Sequence, residues 1–336
     1  MIRPGVGVLV LAVALAVTEA ALRLGQAAFW RGQRAGALVS SPLLDDRLAA
    51  LAAPHTRKRL LLLGDSVLAG SALREHAVPL WRARVVGARM AASPAWQGWD
   101  VRDFSADGLY PADLAALESA AGAFRPDAVA VELNYRMFCD AAGQSASAYS
   151  RPWLAARADG SARAPADLDQ GLDSALAGAC FVYRYAALAR DWCWQPSMND
   201  VLAAFVARCF PRKATGVPAD ALLLDLRIRP YYQAPAMGPG HLGLAALRAL
   251  ARDLRRRQVP VLVFLTPQNH ARIDGMLDRR AWAFNRSAVA AAFAGPGLRF
   301  CDWSDRRPPG GFLDHCHPGP EGCGALADWI TRELNP

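Results

Sequence analysis

Four consecutive leucines, Leu60 to Leu63, run straight into Gly64-Asp65-Ser66, and this junction constrains the fold more than any other stretch of the chain. A short apolar run without alternation fits a strand covered on both faces, as in a parallel sheet, and the glycine ends it in a tight turn. The pattern recurs along the chain. Residues 67–90 carry helical spacing, a second strand ends near 101–105 before Ala106-Asp107-Gly108, and 112–123 reads as a helix. Residues 126–134 predict a third strand with a polar end. A helix over 242–257, a strand over 259–265, a helix over 270–293, a short strand at 298–301 and a closing helix over 320–334 follow. Strands alternating with helices predict an α/β fold built on a doubly wound parallel sheet. Between about 140 and 240 the rhythm breaks into an Ala/Ser/Gly-rich loop, a helical stretch over 171–210 and an irregular run, predicting a mainly helical insertion.

The N-terminus is a different material. Gly5 to Val17 is uninterruptedly apolar, and continued to Leu24 the segment is long enough to span a bilayer, with Glu19 near one end. Residues 1–26 therefore predict a signal-anchor, a transmembrane helix kept in the chain. A cleaved signal peptide has a similar apolar centre, but no clean small-x-small site precedes an obvious mature start. Residues 27–57 read as a connector, and 58–334 as the main domain. Arg3 precedes the span while Arg23, Arg31 and Arg34 follow it, which argues weakly against an outward-facing domain. Seven cysteines argue the other way. Their clusters, Cys180, Cys193 and Cys209 and then Cys301, Cys316 and Cys323, suit disulfides in an oxidising compartment. An extracytoplasmic, periplasmic domain is expected.

The formal charge is +8, but the arginines carrying it are scattered. The densest run, Arg255-Arg256-Arg257, closes a helical stretch, where cations suit the C-terminal end. With no recognition fingerprint beside it, nucleic acid is not an expected partner.

Ligands of doubly wound sheets sit outside the carboxyl ends of the strands, and four polar signals fall there: Ser66, Gly108, Asn134, and the pair Asp314 and His317. A serine hydroxyl needs an adjacent base to become a nucleophile, and a helix start offers unpaired N–H groups to an oxyanion. Asp314, three residues before His317, can orient one imidazole nitrogen and leave the other for Ser66. Helix capping by Asp65 or Ser66 is the plain alternative, and His315 reads as a neighbour. Asp314, His315, Cys316 and Cys323 have donor types that zinc accepts, but their spacing fits no paired framework, so no metal is expected. A disulfide of Cys316 or Cys323 that fixes this loop is the preferred use of those thiols.

In this order, Gly64-Asp65-Ser66, Gly108, Asn134 and Asp314-x-x-His317 resemble the four sequence blocks of the SGNH (GDSL-type) hydrolases. The resemblance covers about 60–140 and 258–334, and departs at the third block, where Glu132-Leu133-Asn134-Tyr135 stands for the usual Gly-x-Asn-Asp. It implies a flavodoxin-like three-layer fold and a cofactor-free serine esterase or acyltransferase. Ser66, Asp314 and His317 would be catalytic, and Ser66, Gly108 and Asn134 would line the oxyanion hole. The layout, with an anchor, an insertion and Thr266-Pro267-Gln268-Asn269-His270 at a strand end, is similar to members that move acyl groups on envelope polysaccharides. That likeness implies an acylated small molecule or carbohydrate as substrate, with a possible envelope-assembly partner protein. Asp65, Gln268, Asn269 and His270 are the candidate substrate contacts, with helix capping as the alternative for the last three. Trp153, Trp192, Trp194, Tyr231 and Tyr232 suit either a sugar-stacking wall or ordinary packing. An SGNH-fold scaffold without turnover is the competing reading.

Overall fold

A computed structural model of the chain describes residues 12–21, 41–52, 55–122, 124–139, 154, 180, 228–233 and 235–334. Its centre is a five-stranded sheet in the order β2-β1-β3-β4-β5, formed by β1 (Lys58–Leu63), β2 (Trp99–Asp103), β3 (Ala128–Leu133), β4 (Val261–Leu265) and β5 (Arg299–Asp302). Every pairing is parallel, with Leu60 opposite Ala128 and Leu62 opposite Asp103. The chain order reverses between β1 and β3, so the crevice above their carboxyl ends is the topological switch point of the sheet.

The four leucines of β1 show why the run is continuous. Leu61 and Leu63 face one layer, with Leu44 and Leu51 of α1 (Ser41–Ala52). Leu60 and Leu62 face the other. Each buried leucine contributes about 2 kcal/mol by leaving water, so neither face tolerates a polar side chain without a partner.

Between β1 and β2, the single helix expected over 67–90 is four short ones: α2 (Ser66–Ala69), α3 (Ser71–Glu75), α4 (Trp81–Arg84) and α5 (Val86–Ala92). Gly70 breaks the first turn at φ +73°, where an added Cβ would overlap the Val85 side chain. Leu80, after Pro79, breaks the chain again at φ +54°. The remaining long helices are α6 (Pro111–Gly122) after β2, α8 (Leu242–Arg256) before β4, α10 (Arg279–Phe293) before β5 and α11 (Pro320–Leu334) at the end. Two single turns also lie among the described residues, α7 (Arg136–Cys139) after β3 and α9 (His270–Ile273) after β4. The helix expected over 270–293 thus divides into α9 and α10, and Asp278 caps α10 by accepting from the Arg280 and Ala281 N–H groups. Helices α1, α6, α8 and α10 cover the Leu61 face, while α5 and α11 cover the Leu60 face, giving three layers.

Several expectations meet different outcomes. Part of the expected connector is helix α1, whose Leu44 and Leu51 belong to the core. Of the expected anchor, residues 12–21 are helical with Val13, Leu15 and Val17 exposed. Among the described residues, no helix is long and apolar enough to cross a membrane, and the rest of 1–26 lies outside them. Nearly all of the insertion over 140–240, with Trp153, Trp192 and Trp194, also lies outside the described residues. Cys301, Cys316 and Cys323 carry free thiols, so the disulfide expected to fix the C-terminal loop is not formed. The arginine run closes α8 as expected. Arg255 donates to the Ala294 carbonyl, and Arg257 pairs with the buried Glu118 at 2.7 Å.

Candidate active site

Ser66 is the first residue of α2, immediately past the carboxyl end of β1, and Asp314 and His317 lie on the loop between β5 and α11. His317 Nε2 stands 2.8 Å from Ser66 Oγ, and His317 Nδ1 stands 2.7 Å from Asp314 Oδ2. The three groups form a continuous hydrogen-bonded line across 251 residues of sequence. One imidazole nitrogen is committed to the carboxylate and the other to the hydroxyl, which is the arrangement a general base for serine requires.

The loop is built to hold that line. Asp314 Oδ1 accepts the N–H groups of Cys316 and His317, each at 2.9 Å, folding Asp314 and His317 into one tight turn. The Leu313 N–H donates to the His317 carbonyl at 2.8 Å. Asn269 braces the turn from β4's end, donating from Nδ2 to the Asp314 carbonyl and from its N–H to the His315 carbonyl. Asn269 is therefore a support of the loop that carries Asp314 and His317.

The other candidate contacts are also engaged elsewhere. Gln268 is buried, accepting from the Tyr232 hydroxyl at 2.7 Å and donating to Thr266. His270 pairs with Asp274 and Asp305. Asn269 precedes α9 without a side-chain cap, so helix capping does not explain these polar groups either. Asp65 is fully buried and makes no cap on α2. Its Oδ1 accepts from the N–H groups of Gly108 and Leu109, and its Oδ2 pairs with Arg136 at 2.9 Å. These contacts turn the carboxylate toward protein groups.

Asp65 also changes the expected oxyanion hole. The Gly108 N–H is directed at the Asp65 carboxylate, 2.6 Å away, and not at the space beside Ser66 Oγ. Gly108 has φ +74°, a conformation favoured by glycine, and this brings its N–H to the carboxylate. The Ser66 N–H, a first-turn donor, has no acceptor among the described residues. Asn134 follows β3 and is buried; its Oδ1 accepts from the Arg136 N–H, and its Nδ2 makes one long contact, 3.5 Å, to Cys316 Sγ. Ser66 N–H and Asn134 Nδ2 are thus the donors nearest to readiness for an oxyanion.

The electrostatics follow from this packing. Burial pushes the Asp314 carboxyl up, but the His317 hydrogen bond and the charges of His317 and His315 outweigh it and hold it well below the usual carboxylate range. Burial opposes charge on the His317 ring, while the Cys316 thiol and the Asp314 carboxylate favour it, and the ring is held well above the ordinary histidine value. Cys316 Sγ lies 3.6 Å from His317 Nδ1, and the two imidazoles lower its own value against burial. Ligand atoms of Asp314, His315 and Cys316 lie within 4.8 Å of one another, the set weighed above for zinc. Both Asp314 oxygens already accept hydrogen bonds, and the site needs them there.

Two residues near Ser66 were given no role by sequence reading, Glu132 and Arg136. Glu132 stands where the SGNH third block carries glycine, and that departure was the available signal. Tyr232 packs flat at 6.1 Å from Tyr135, which assigns it to packing and not to a sugar-stacking wall. Tyr231 faces the Arg136 guanidinium.

Gly64 is fixed by Glu132. A Cβ at position 64 would sit 2.5 Å from Glu132 Oε2 and 2.8 Å from Leu68 Cδ1. Gly64→Ala is expected to cost about 1–3 kcal/mol through overpacking, read as a lower urea midpoint; an unchanged midpoint would show that the pocket relaxes freely.

No protein-family model matches the chain, and no curated protein matches it. Among solved structures it is similar to a family two carbohydrate esterase from Clostridium thermocellum in complex with cellohexaose, at TM-score 0.41 and 10% identity over 84% of this chain. The chain spans 65% of that esterase's length. It is also similar to a catalytic mutant of an acetylxylan esterase from Geobacillus stearothermophilus, at TM-score 0.38 and 14% identity, over 83% of this chain and 94% of that one.

Proposed function

We propose that this chain is a serine-dependent esterase or O-acyltransferase of the SGNH type, acting on acyl esters, acetyl foremost, of carbohydrate. The observation that carries the reading is the line Ser66–His317–Asp314 at 2.8 and 2.7 Å. In the reaction, Ser66 Oγ attacks the ester carbonyl as His317 Nε2 takes its proton. The carbonyl oxygen gathers negative charge against the Ser66 N–H and the Asn134 amide. His317 then returns the proton to the departing alcohol, leaving an acyl group on Ser66. Water, or a sugar hydroxyl in a transferase, takes that acyl group by the reverse sequence. Asp314 keeps the ring in the tautomer that presents a bare Nε2 to serine and stabilises the imidazolium that forms.

Turnover of p-nitrophenyl acetate by the full chain, beside Ser66→Ala and His317→Ala, tests this directly. Loss in both variants with folding intact supports the reading, and equal rates in all three remove it. Absence of turnover in all three, with no acyl adduct on Ser66, favours a second reading: an envelope-assembly scaffold of this fold without turnover. The commitment of the Gly108 N–H to Asp65 is the observation on that side.

The base must be neutral to accept a proton, so activity is present above the His317 pKa and lost as pH falls through it. With the ring held above its ordinary value of 6.5, the acid limb of kcat/KM is expected above pH 6.5. Cys316→Ala removes one group that favours the charged ring, and the limb is expected to move to lower pH. A limb that stays in place would show that the thiol does not act on His317.

The reading extends to location. The apolar segment 1–26 anchors the domain outside the cytoplasm, and the exposed Val13, Leu15 and Val17 of residues 12–21 are the kind of surface a bilayer covers. Fractionation of the full chain into membranes, released by detergent and not by high salt, is the expected result.

A further inference from the structure

One acid at the site takes no part in the triad. Side chains alternate along β3, and those of Ala130 and Glu132 enter the layer that holds Leu62, Leu68 and Phe264. In that apolar layer Glu132 is fully buried. A buried carboxyl group costs several kcal/mol unless paired, so an apolar residue would serve packing better. Glu132 instead accepts the Asp65 N–H on Oε2, the N–H of the residue immediately before Ser66. Its Oε1 has no hydrogen-bond partner among the described residues. The glycine of Gly64-Asp65-Ser66 leaves room for this carboxyl and for nothing larger than hydrogen.

We propose that Glu132 is a positioning residue for the ester chemistry of Ser66: its carboxyl group holds the Asp65 N–H, and so aims the Ser66 N–H and Oγ at the substrate carbonyl. This rests on the serine-esterase reading and deepens it. The groups that face Glu132 are Asp65 with its partner Arg136 from the β1 and β3 ends, and Cys316 and His317 from the C-terminal loop. Burial, then the Asp65 charge, push its carboxyl well above the ordinary glutamate range, while the Asp65 N–H and His317 oppose them. Burial in the apolar layer thus favours the neutral carboxyl over the charged one. Ionisation at higher pH puts a negative charge on the group that holds the Asp65 N–H, one residue before the Ser66 N–H, which raises the barrier to forming an oxyanion there. Activity should accordingly fall on the alkaline side as Glu132 loses its proton.

The test is kcat and KM across pH for the full chain, Glu132→Gln, Glu132→Leu and Ser66→Ala. Glutamine keeps a neutral acceptor for the Asp65 N–H and cannot ionise. It is expected to hold kcat within about threefold at the optimum and to lose the alkaline fall. Leucine removes the acceptor and is expected to lower kcat about 10- to 100-fold at unchanged KM, the scale of a small misplacement of reacting groups. A Glu132→Gln profile with the same alkaline fall as the parent overturns the proposal, as does a Glu132→Leu chain with parental kcat. If Glu132→Leu fails to fold by circular dichroism, the glutamine profile decides alone. Parental activity in Ser66→Ala sinks the esterase reading itself, whereas an inactive Ser66→Ala beside unaltered Glu132 variants sinks only the role of Glu132.

Discussion

Ser66→Ala is expected to lower turnover of an activated acetyl ester by about 10⁴-fold or more, with KM little changed. The size follows from what is removed. Among the described residues only the Ser66 hydroxyl lies on the His317 nitrogen that is not committed to Asp314, so none of their other oxygens stands ready to be deprotonated in its place. Cys316 is the nearest alternative nucleophile, but it is buried at 1% exposure, and its sulfur lies toward Nδ1, the wrong side of the ring. The lost hydroxyl holds no other part of the fold, so the thermal midpoint should move by no more than a few degrees. A residual rate near that of the parent would mean that the measured hydrolysis does not pass through Ser66.

Asp314→Asn is expected to cost nearly as much, about 10⁴-fold in kcat, for a different reason. Asparagine keeps the oxygen that accepts the Cys316 and His317 N–H groups, so the turn survives. Its amide nitrogen then replaces Oδ2 against His317 Nδ1 and donates where the carboxylate accepted. The imidazole is driven to carry its proton on Nε2, which now points a hydrogen at Ser66 Oγ and cannot take one from it. The ring also loses its carboxylate, so whatever activity remains should show an acid limb at lower pH than the parent. Retention of the parental rate would assign Asp314 to loop structure alone. The two variants therefore separate the nucleophile from the group that orients its base.

How much of the site was readable depended on distance along the chain. The turn of Asp314 and His317 is local: three residues of spacing let one carboxylate cap two N–H groups and meet the ring, so its geometry is implied by the residues themselves. The position of Ser66 is nearly as local, because a buried strand that ends in glycine must turn, and the next residue opens the helix. The break of the helix over 67–90 had signals in Gly70 and Pro79, but apolar spacing masked them.

The protein partners of the polar candidates were not legible in the sequence, for a common reason. Asp65, Gln268, Asn269 and His270 were read as facing substrate because they cluster at strand ends, where ligands bind. Tertiary packing turned each toward protein: Asp65 to the Gly108 N–H and Arg136, Gln268 to Tyr232, Asn269 to the Asp314 carbonyl, His270 to Asp274 and Asp305. A polar group beside a site takes the first partner that relieves its burial, and that partner comes from segments remote in sequence.

The sequence by itself determined the sheet, the chain order of its strands and the local turn that joins Asp314 to His317, because each rests on short-range rules of alternation, turn and spacing. Only the tertiary structure decided which donors remain for an oxyanion, that the C-terminal thiols are free, and that Glu132 accepts the Asp65 N–H. Those outcomes depend on which side chains meet across the switch point between β1 and β3, where competition for buried hydrogen bonds sets each role.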